Sequence, residues 1–131
     1  MATTPTQRTM QSLRANGNIC AVVEKFNPYV GEHGIRQDLF GIIDIIIADP
    51  ERGIGGVQAC AGSGYRAHIE KLTIEKAQES YDWLICPGAW LQIWSWRKLK
   101  LHRGGKAMRW SPKIADILLD EDGNVVVEER K

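Results

Sequence analysis

The chain lacks any apolar run long and pure enough to cross a bilayer, which excludes a helical membrane protein. Its N-terminus, Met1–Arg8, lacks the basic-then-apolar order of a secretory leader, so an intracellular protein is expected. Cysteine is scarce. Cys20, Cys60 and Cys86 are three in number and show no C-x-x-C spacing, which argues against a disulfide framework and against a zinc knuckle. His33, His68 and His102 show no H-x-x-x-H spacing. Net charge is nearly absent, at +1, so total charge does not point to nucleic acid. Repeats and low-complexity stretches are missing. The Ala61–Tyr65 segment (AGSGY) has neither the glycines nor the lysine of a phosphate-binding P-loop.

What remains is an ordinary globular composition, 44% hydrophobic and 25% charged, in 131 residues. That length predicts a single domain, residues 1–131, with a core of its own. Charge is unevenly placed along it. Arg97, Lys98, Lys100, His102, Arg103, Lys106 and Arg109 fall in one short stretch, a local basic patch able to hold phosphate. Acids balance them near the C-terminus.

Periodicity and turn signals give an element order. Thr6–Asn16 predicts a helix with Gly17 as its stop. Ile19–Phe26 predicts a strand, ended by Asn27-Pro28, and Tyr29–Gln37 a loop. Leu39–Ala48 reads as a central strand and Ile54–Cys60 as its hairpin partner. Arg66–Asp82 reads as a helix whose inward stripe is Ile69, Leu72, Ala77, Tyr81 and Leu84. Lys71 falls off that stripe, while Arg66 and Lys76 flank it. Ala89–Trp96 predicts a strand with Trp90, Gln92, Trp94 and Trp96 on one face; such tryptophans are more often core than a base-stacking row. Leu99–Arg109 reads as a loop. The tail, Ile114–Leu119 and Val125–Glu129, reads as a hairpin across Asp122-Gly123, with a helix from Ser111-Pro112 as the alternative. Helix, strand, strand, strand, helix, strand is a mixed sheet flanked by helices, an α/β fold.

One stretch carries the chemistry. Asp44 interrupts the apolar run Leu39–Ala48, and a buried carboxylate needs a cation, a donor or a metal. In a strand, Asp38, Phe40, Ile42 and Asp44 share a face, so both acids would point the same way. Gln58 on the neighbouring strand could complete a cluster of oxygen ligands suited to Mg²⁺ or Mn²⁺. Glu24, inside the first strand, reads more readily as a solvated edge carboxylate than as part of the site, the alternative.

The element order, together with Val23-Glu24-Lys25-Phe26-Asn27-Pro28, Asp38–Asp44, Gln58-Ala59-Cys60 and Trp94–Lys98, resembles the PD-(D/E)xK nuclease superfamily. The small version resembles the archaeal-type Holliday-junction resolvases, and the quoted motifs resemble a pattern of uncharacterised phage and bacterial proteins; the resemblance covers roughly residues 6–98. The resemblance implies a restriction-endonuclease-like core and a metal-dependent DNA endonuclease, able to act on branched DNA and as a homodimer. It assigns the metal-binding acid to Asp44, with Asp38 as the competing match, and puts Gln58 where the second acid usually stands. Cys60 stands where the lysine should be. Lys71 from the following helix is then the nearest substitute, with Lys76 as the alternative. Arg66, Arg97 and Lys98 would hold flanking phosphates. The departure at Cys60 keeps two other readings open. One is a non-catalytic nucleic-acid-binding or interaction module on a decayed nuclease fold. The other is a thiol enzyme using Cys60 with His68.

Overall fold

A computed structural model describes residues 3–130. The first helix, α1 (Pro5–Ala15), starts on a capping box: Thr4 Oγ1 accepts from the Gln7 N–H, and the Gln7 side chain accepts from the Thr4 N–H. Asn16 caps it and Gly17, at φ 87°, turns the chain out. Eight strands follow: β1 (Ile19–Val22), β2 (Lys25–Asn27), β3 (Ile35–Gln37), β4 (Ile45–Asp49), β5 (Gly53–Ala61), β6 (Trp90–Lys100), β7 (Met108–Leu119) and β8 (Val125–Glu129). Between β5 and β6 run α2 (Tyr65–Glu70), a wide π turn (Lys71–Glu75) and α3 (Ala77–Leu84). Six strands form one mixed sheet in the order β1-β4-β5-β6-β7-β8, and β2 and β3 form a separate ribbon. Among the described strands only β5 and β6 pair in parallel, as expected where a helical crossover joins two strands. No helix is long and apolar enough to cross a membrane among the described residues.

The α/β class and the element order agree with expectation once the β2–β3 ribbon is set aside. The tail is the expected hairpin, Leu119 opposite Val125. Three boundaries differ, each for a physical reason. Ile19–Phe26 is broken at Val23-Glu24, and its second half pairs with Ile35–Gln37, within what reads as a loop. Leu99–Arg109 is not a loop throughout, because β6 and β7 pair as far as Lys100 and Met108. Most consequentially, Leu39–Ile43 is not strand. Phe40 and Gly41 both take positive φ, 56° and 75°, and Leu39 bridges back to Ile43 in a tight loop. A left-handed phenylalanine is uncommon and costs strain, and it ends the extended chain that the apolar run suggests.

Side chains leave the sheet on two faces. Leu13 of α1 packs with Cys20, Ile45, Ile47, Val57, Trp94 and Trp96 on one. On the other, Ile69 and Leu72 pack with Ile42, Ile43, Leu91, Ile93, Ala115 and Ile117. Trp94 and Trp96 are therefore core. Each indole N–H finds a partner, Gln92 Oε1 at 2.9 Å for Trp94 and Thr9 Oγ1 at 2.8 Å for Trp96. Gly56 is required by close approach, since a Cβ there would lie 2.6 Å from Ile43.

The crossover helix departs from an ideal wheel. At Lys71 its hydrogen bonding switches to five-residue spacing, the Lys76 N–H reaching the Lys71 carbonyl at 2.7 Å. Ser80 is buried and donates to the Leu72 carbonyl at 2.7 Å, while Tyr81, expected inside, is exposed. Of the predicted stripe, Ile69 and Leu72 are buried, Ala77 and Leu84 are half-buried, and Trp83 packs against the core beside them.

Candidate metal centre

The candidate site lies on the helical face of the sheet, beside the C-terminal half of β5. Asp44 immediately precedes β4 and is locked by backbone on both sides: its N–H donates to the Val57 carbonyl and its carbonyl accepts from Val23. Its side chain points away from Ile45, into the α2–α3 side, where Oδ2 accepts from the Ala59 N–H at 3.1 Å. Asp38 arrives from the other end of the Phe40–Gly41 loop. Thus the two acids do come together, but a left-handed loop brings them there and strand alternation does not. Glu24, at the break between β1 and β2, completes a group. One ligand oxygen each from Glu24, Asp38 and Asp44 lie within 4.8 Å of one another.

Around this trio the polar partners form a chain. Asp38 Oδ2 accepts from Gln58 Nε2 at 2.6 Å and from Lys71 Nζ at 2.7 Å. Gln58 is fully buried, and its Oε1 lies 2.6 Å from His68 Nδ1. Because the Gln58 amide nitrogen already donates to a carboxylate, its oxygen must accept, so His68 carries its proton on Nδ1. Burial and the nearby Lys71 charge lower the pKa of His68, which keeps the ring neutral. Arg36 Nη1 reaches Glu24 Oε1 at 3.3 Å. A cleft of about 430 Å³, lined by Arg36, Asp38, Phe40, Gly41, Lys71 and Lys76 among others, opens onto Asp38 and Lys71.

The electrostatics single out Asp44. For Asp38, burial favours the neutral acid, but hydrogen bonds from Asp44 and Lys71, the Lys71 charge and Gln58 outweigh it, so its pKa is lowered. For Asp44, burial comes first, and hydrogen bonding and repulsion from Asp38 add to it; its pKa is pushed up to about 8. Glu24 has Arg36 and Asp38 has Lys71, whereas among the described residues no cationic side chain pairs with Asp44. The donor set is all oxygen, and its one member without a counter-charge is a buried acid. That chemistry fits a hard divalent cation, Mg²⁺ or Mn²⁺, with Glu24, Asp38 and Asp44 as ligands.

The residues singled out from sequence divide clearly. Asp38, Asp44, Gln58 and Lys71 are brought together. Gln58 lies behind Asp38, holding it, and the third oxygen ligand offered to the centre is Glu24. Lys71 reaches the site although an ideal wheel turns it away, because the helix is not ideal at Lys71 and a lysine stem extends past the helix edge. Lys76 sits at the cleft mouth, over Gly41, with its ammonium 3.6 Å from Glu79. Arg66, Arg97 and Lys98 are exposed and make no contact with the acids. Lys98 lies over Trp110. Cys60 is buried, and burial raises its thiol pKa, opposite to what a nucleophile requires. His68, which the thiol reading needed, is committed through Nδ1 to Gln58.

Two residues were misjudged from sequence. Glu24 reads as an edge acid, yet it stands in the Val23-Glu24-x-x-Asn27-Pro28 pattern, which was the available signal. His68 had none, since its partner Gln58 is ten residues away in the chain. No protein-family model matches the chain, and no curated protein or solved structure is significantly similar to it.

Proposed function

We propose that this protein is a metal-dependent nuclease of the PD-(D/E)xK kind, hydrolysing phosphodiester bonds in DNA. The observation that carries the reading is the acid trio Glu24, Asp38 and Asp44 beside β5, with Lys71 on Asp38. Clustered carboxylates beside a lysine are what phosphodiester hydrolysis by this chemistry needs. A bound divalent cation would lower the pKa of a water and offset charge on the scissile phosphate. The chain's own groups do the rest. Asp44, once deprotonated, would be one of the ligands. Gln58, fixed by His68, holds Asp38 in place. Lys71 supplies the positive charge that Cys60 cannot, at the edge of the cleft by which a phosphate would enter.

The buried thiol at Cys60 favours a second reading, a nucleic-acid-binding module without cleavage. One assay separates them: cleavage of labelled linear, single-stranded, flap and four-way-junction DNA with Mg²⁺, Mn²⁺ or EDTA, for wild type and Asp44→Ala. Metal-dependent cutting lost in the variant is the expected result, and the preferred substrate would say whether branched DNA is the target. Equal or absent cutting in both, with DNA still bound, would replace the nuclease by the binding module.

A further inference from the structure

We infer that the free end of the β6–β7 hairpin is a DNA-binding arm that seats in the major groove of a duplex lying across the candidate site. The inference rests on the nuclease reading for its substrate class, but on separate residues. β5 pairs with β6 only as far as Ala61 opposite Trp96. β8 pairs with β7 only as far as Glu129 opposite Ala115, with one further bond from Arg130 to Ile114. Beyond those points, among the described residues, Arg97–Lys100 and Met108–Ser111 pair only with each other, in the register Arg97↔Ser111, Lys98↔Trp110, Leu99↔Arg109 and Lys100↔Met108. At about 3.4 Å per residue this two-stranded ribbon projects roughly 14 Å before its turn. A two-stranded ribbon is one of the two elements that the major groove, about 12 Å wide, admits.

Its charge is of one sign. Residues 83–115 contain no Asp or Glu, while Arg97, Lys98, Lys100, Arg103, Lys106 and Arg109 are all exposed. Opposite residues of an antiparallel pair share a face. Lys98, Lys100, Met108 and Trp110 therefore share the face of Trp96, which looks toward α1. There Arg8 stacks on Trp110 at 4.0 Å, bracing the base of the arm against the helix. Arg97, Leu99, Arg109 and Ser111 share the other face, continuing the row Ile93 and Ser95. That is the face of Gln58 and Cys60, the face of the candidate metal centre. Arg97 also lies against Gly62, in the turn that leads from β5 into α2 and Arg66. The arm thus extends the catalytic face with an unbalanced cationic strip. Exposed Leu101 and Met108 near its turn are free to meet base edges.

The test is binding of a labelled 30-base-pair duplex by fluorescence anisotropy in EDTA, over a salt series. It compares wild type, Arg97→Ala/Arg109→Ala, and the off-arm pair Arg14→Ala/Lys25→Ala, with a thermal melt to establish that each is folded. The arm pair is expected to bind at least about tenfold more weakly and to lose about 2 from the slope of log K against log salt. The off-arm pair should match wild type. A folded arm pair that binds duplex like wild type, or an off-arm pair that loses as much, overturns the inference. So does wild-type binding that single-stranded DNA of the same length matches and that the arm pair retains. The outcomes separate from the nuclease reading, since these measurements contain no metal. An arm that binds duplex in a protein that neither takes up Mn²⁺ nor cuts would leave the arm and remove the nuclease. Cutting and metal uptake with an indifferent arm would do the reverse.

Discussion

The most direct consequence of the unpaired Asp44 is a metal-dependent change in stability that one substitution removes. With Asp44 ionised, Glu24, Asp38 and Asp44 carry three negative charges against Arg36 and Lys71, a net of −1. So small a net charge belongs at the weak end of divalent binding, with Kd of about 10⁻⁴ M. At 10 mM Mn²⁺ and pH 8.5, binding to the folded state alone then stabilises by about 2.7 kcal/mol. For a domain of this size that is a rise in Tm of about 10 °C. Asp44→Asn is the informative variant. Asparagine has the shape of the protonated acid, can still accept from the Ala59 N–H, and can donate toward Asp38, so the apo fold should be kept. It removes the one acid of the trio that has no cationic partner among the described residues. Its Tm shift with Mn²⁺ should fall below about 2 °C, which by the same linkage marks loss of most of the affinity. Differential scanning calorimetry with Mn²⁺, Mg²⁺ and EDTA measures both. No shift for wild type at 10 mM, or an equal shift in the variant, would refute the metal centre as described here.

Two further outcomes follow from the same geometry. Asp44 is raised from 3.8 to about 8 by burial first and by Asp38 second, so the folded state holds a proton that the unfolded chain has released. That contribution is complete below about pH 4 and lost as pH rises to about 8, at up to about 1.4 kcal/mol per pH unit. Urea melts in EDTA between pH 5.5 and 7.5 should give a steeper decline for wild type than for Asp44→Asn, and parallel lines would contradict the buried proton. The second concerns the two lysines. Lys71→Met should reduce cleavage by about 100-fold, the cost of losing one oriented charge, whereas Lys76→Met should stay within about threefold, because Lys76 pairs with Glu79. The reverse order in kcat would move the catalytic lysine to Lys76.

How much of this was legible in the sequence depends on which forces set each element. β5, β6 as far as Trp96 and the β7–β8 hairpin are written in local apolar pattern and turn residues and stand where pattern puts them, whereas the basic extension of β6 and β7 to Lys100 and Met108 carries no such pattern. The order of elements followed. The route by which Asp38 joins Asp44 was not legible. Leu39–Ala48 has the composition of a buried strand, and composition does not register that Phe40 adopts φ 56°. Phe40 does so inside a loop whose closure rests on Gly41 and the Leu39–Ile43 bridge, a tertiary arrangement with only one glycine to announce it. Strand alternation would also bring Asp38 and Asp44 together, but by a path the chain does not take. Lys71 shows the complement: helical periodicity excluded it, and a π turn beginning at that residue, together with a long side chain, brought it in.

These departures from local rule are not scattered. The left-handed Phe40 and the π turn at Lys71 line the cleft that opens onto Asp38, and the break of the first strand at Glu24 and the buried Asp44 supply the other two acids grouped with Asp38. Each costs stability on its own: strain at Phe40, a weaker hydrogen-bond ladder at Lys71, an interrupted edge at Glu24 and desolvation at Asp44. Elsewhere the chain follows ordinary preference closely, with a complete capping box on α1, a satisfied N–H on Trp94 and on Trp96, and an Asp49-capped turn between β4 and β5. These departures gather around one set of acids, as is expected of a functional site, although the buried Tyr65 hydroxyl elsewhere also has no hydrogen-bond partner. Replacing Asp44 with asparagine should then stabilise the metal-free protein at pH 8 while abolishing cleavage, and that combination would mark Asp44 as kept for chemistry.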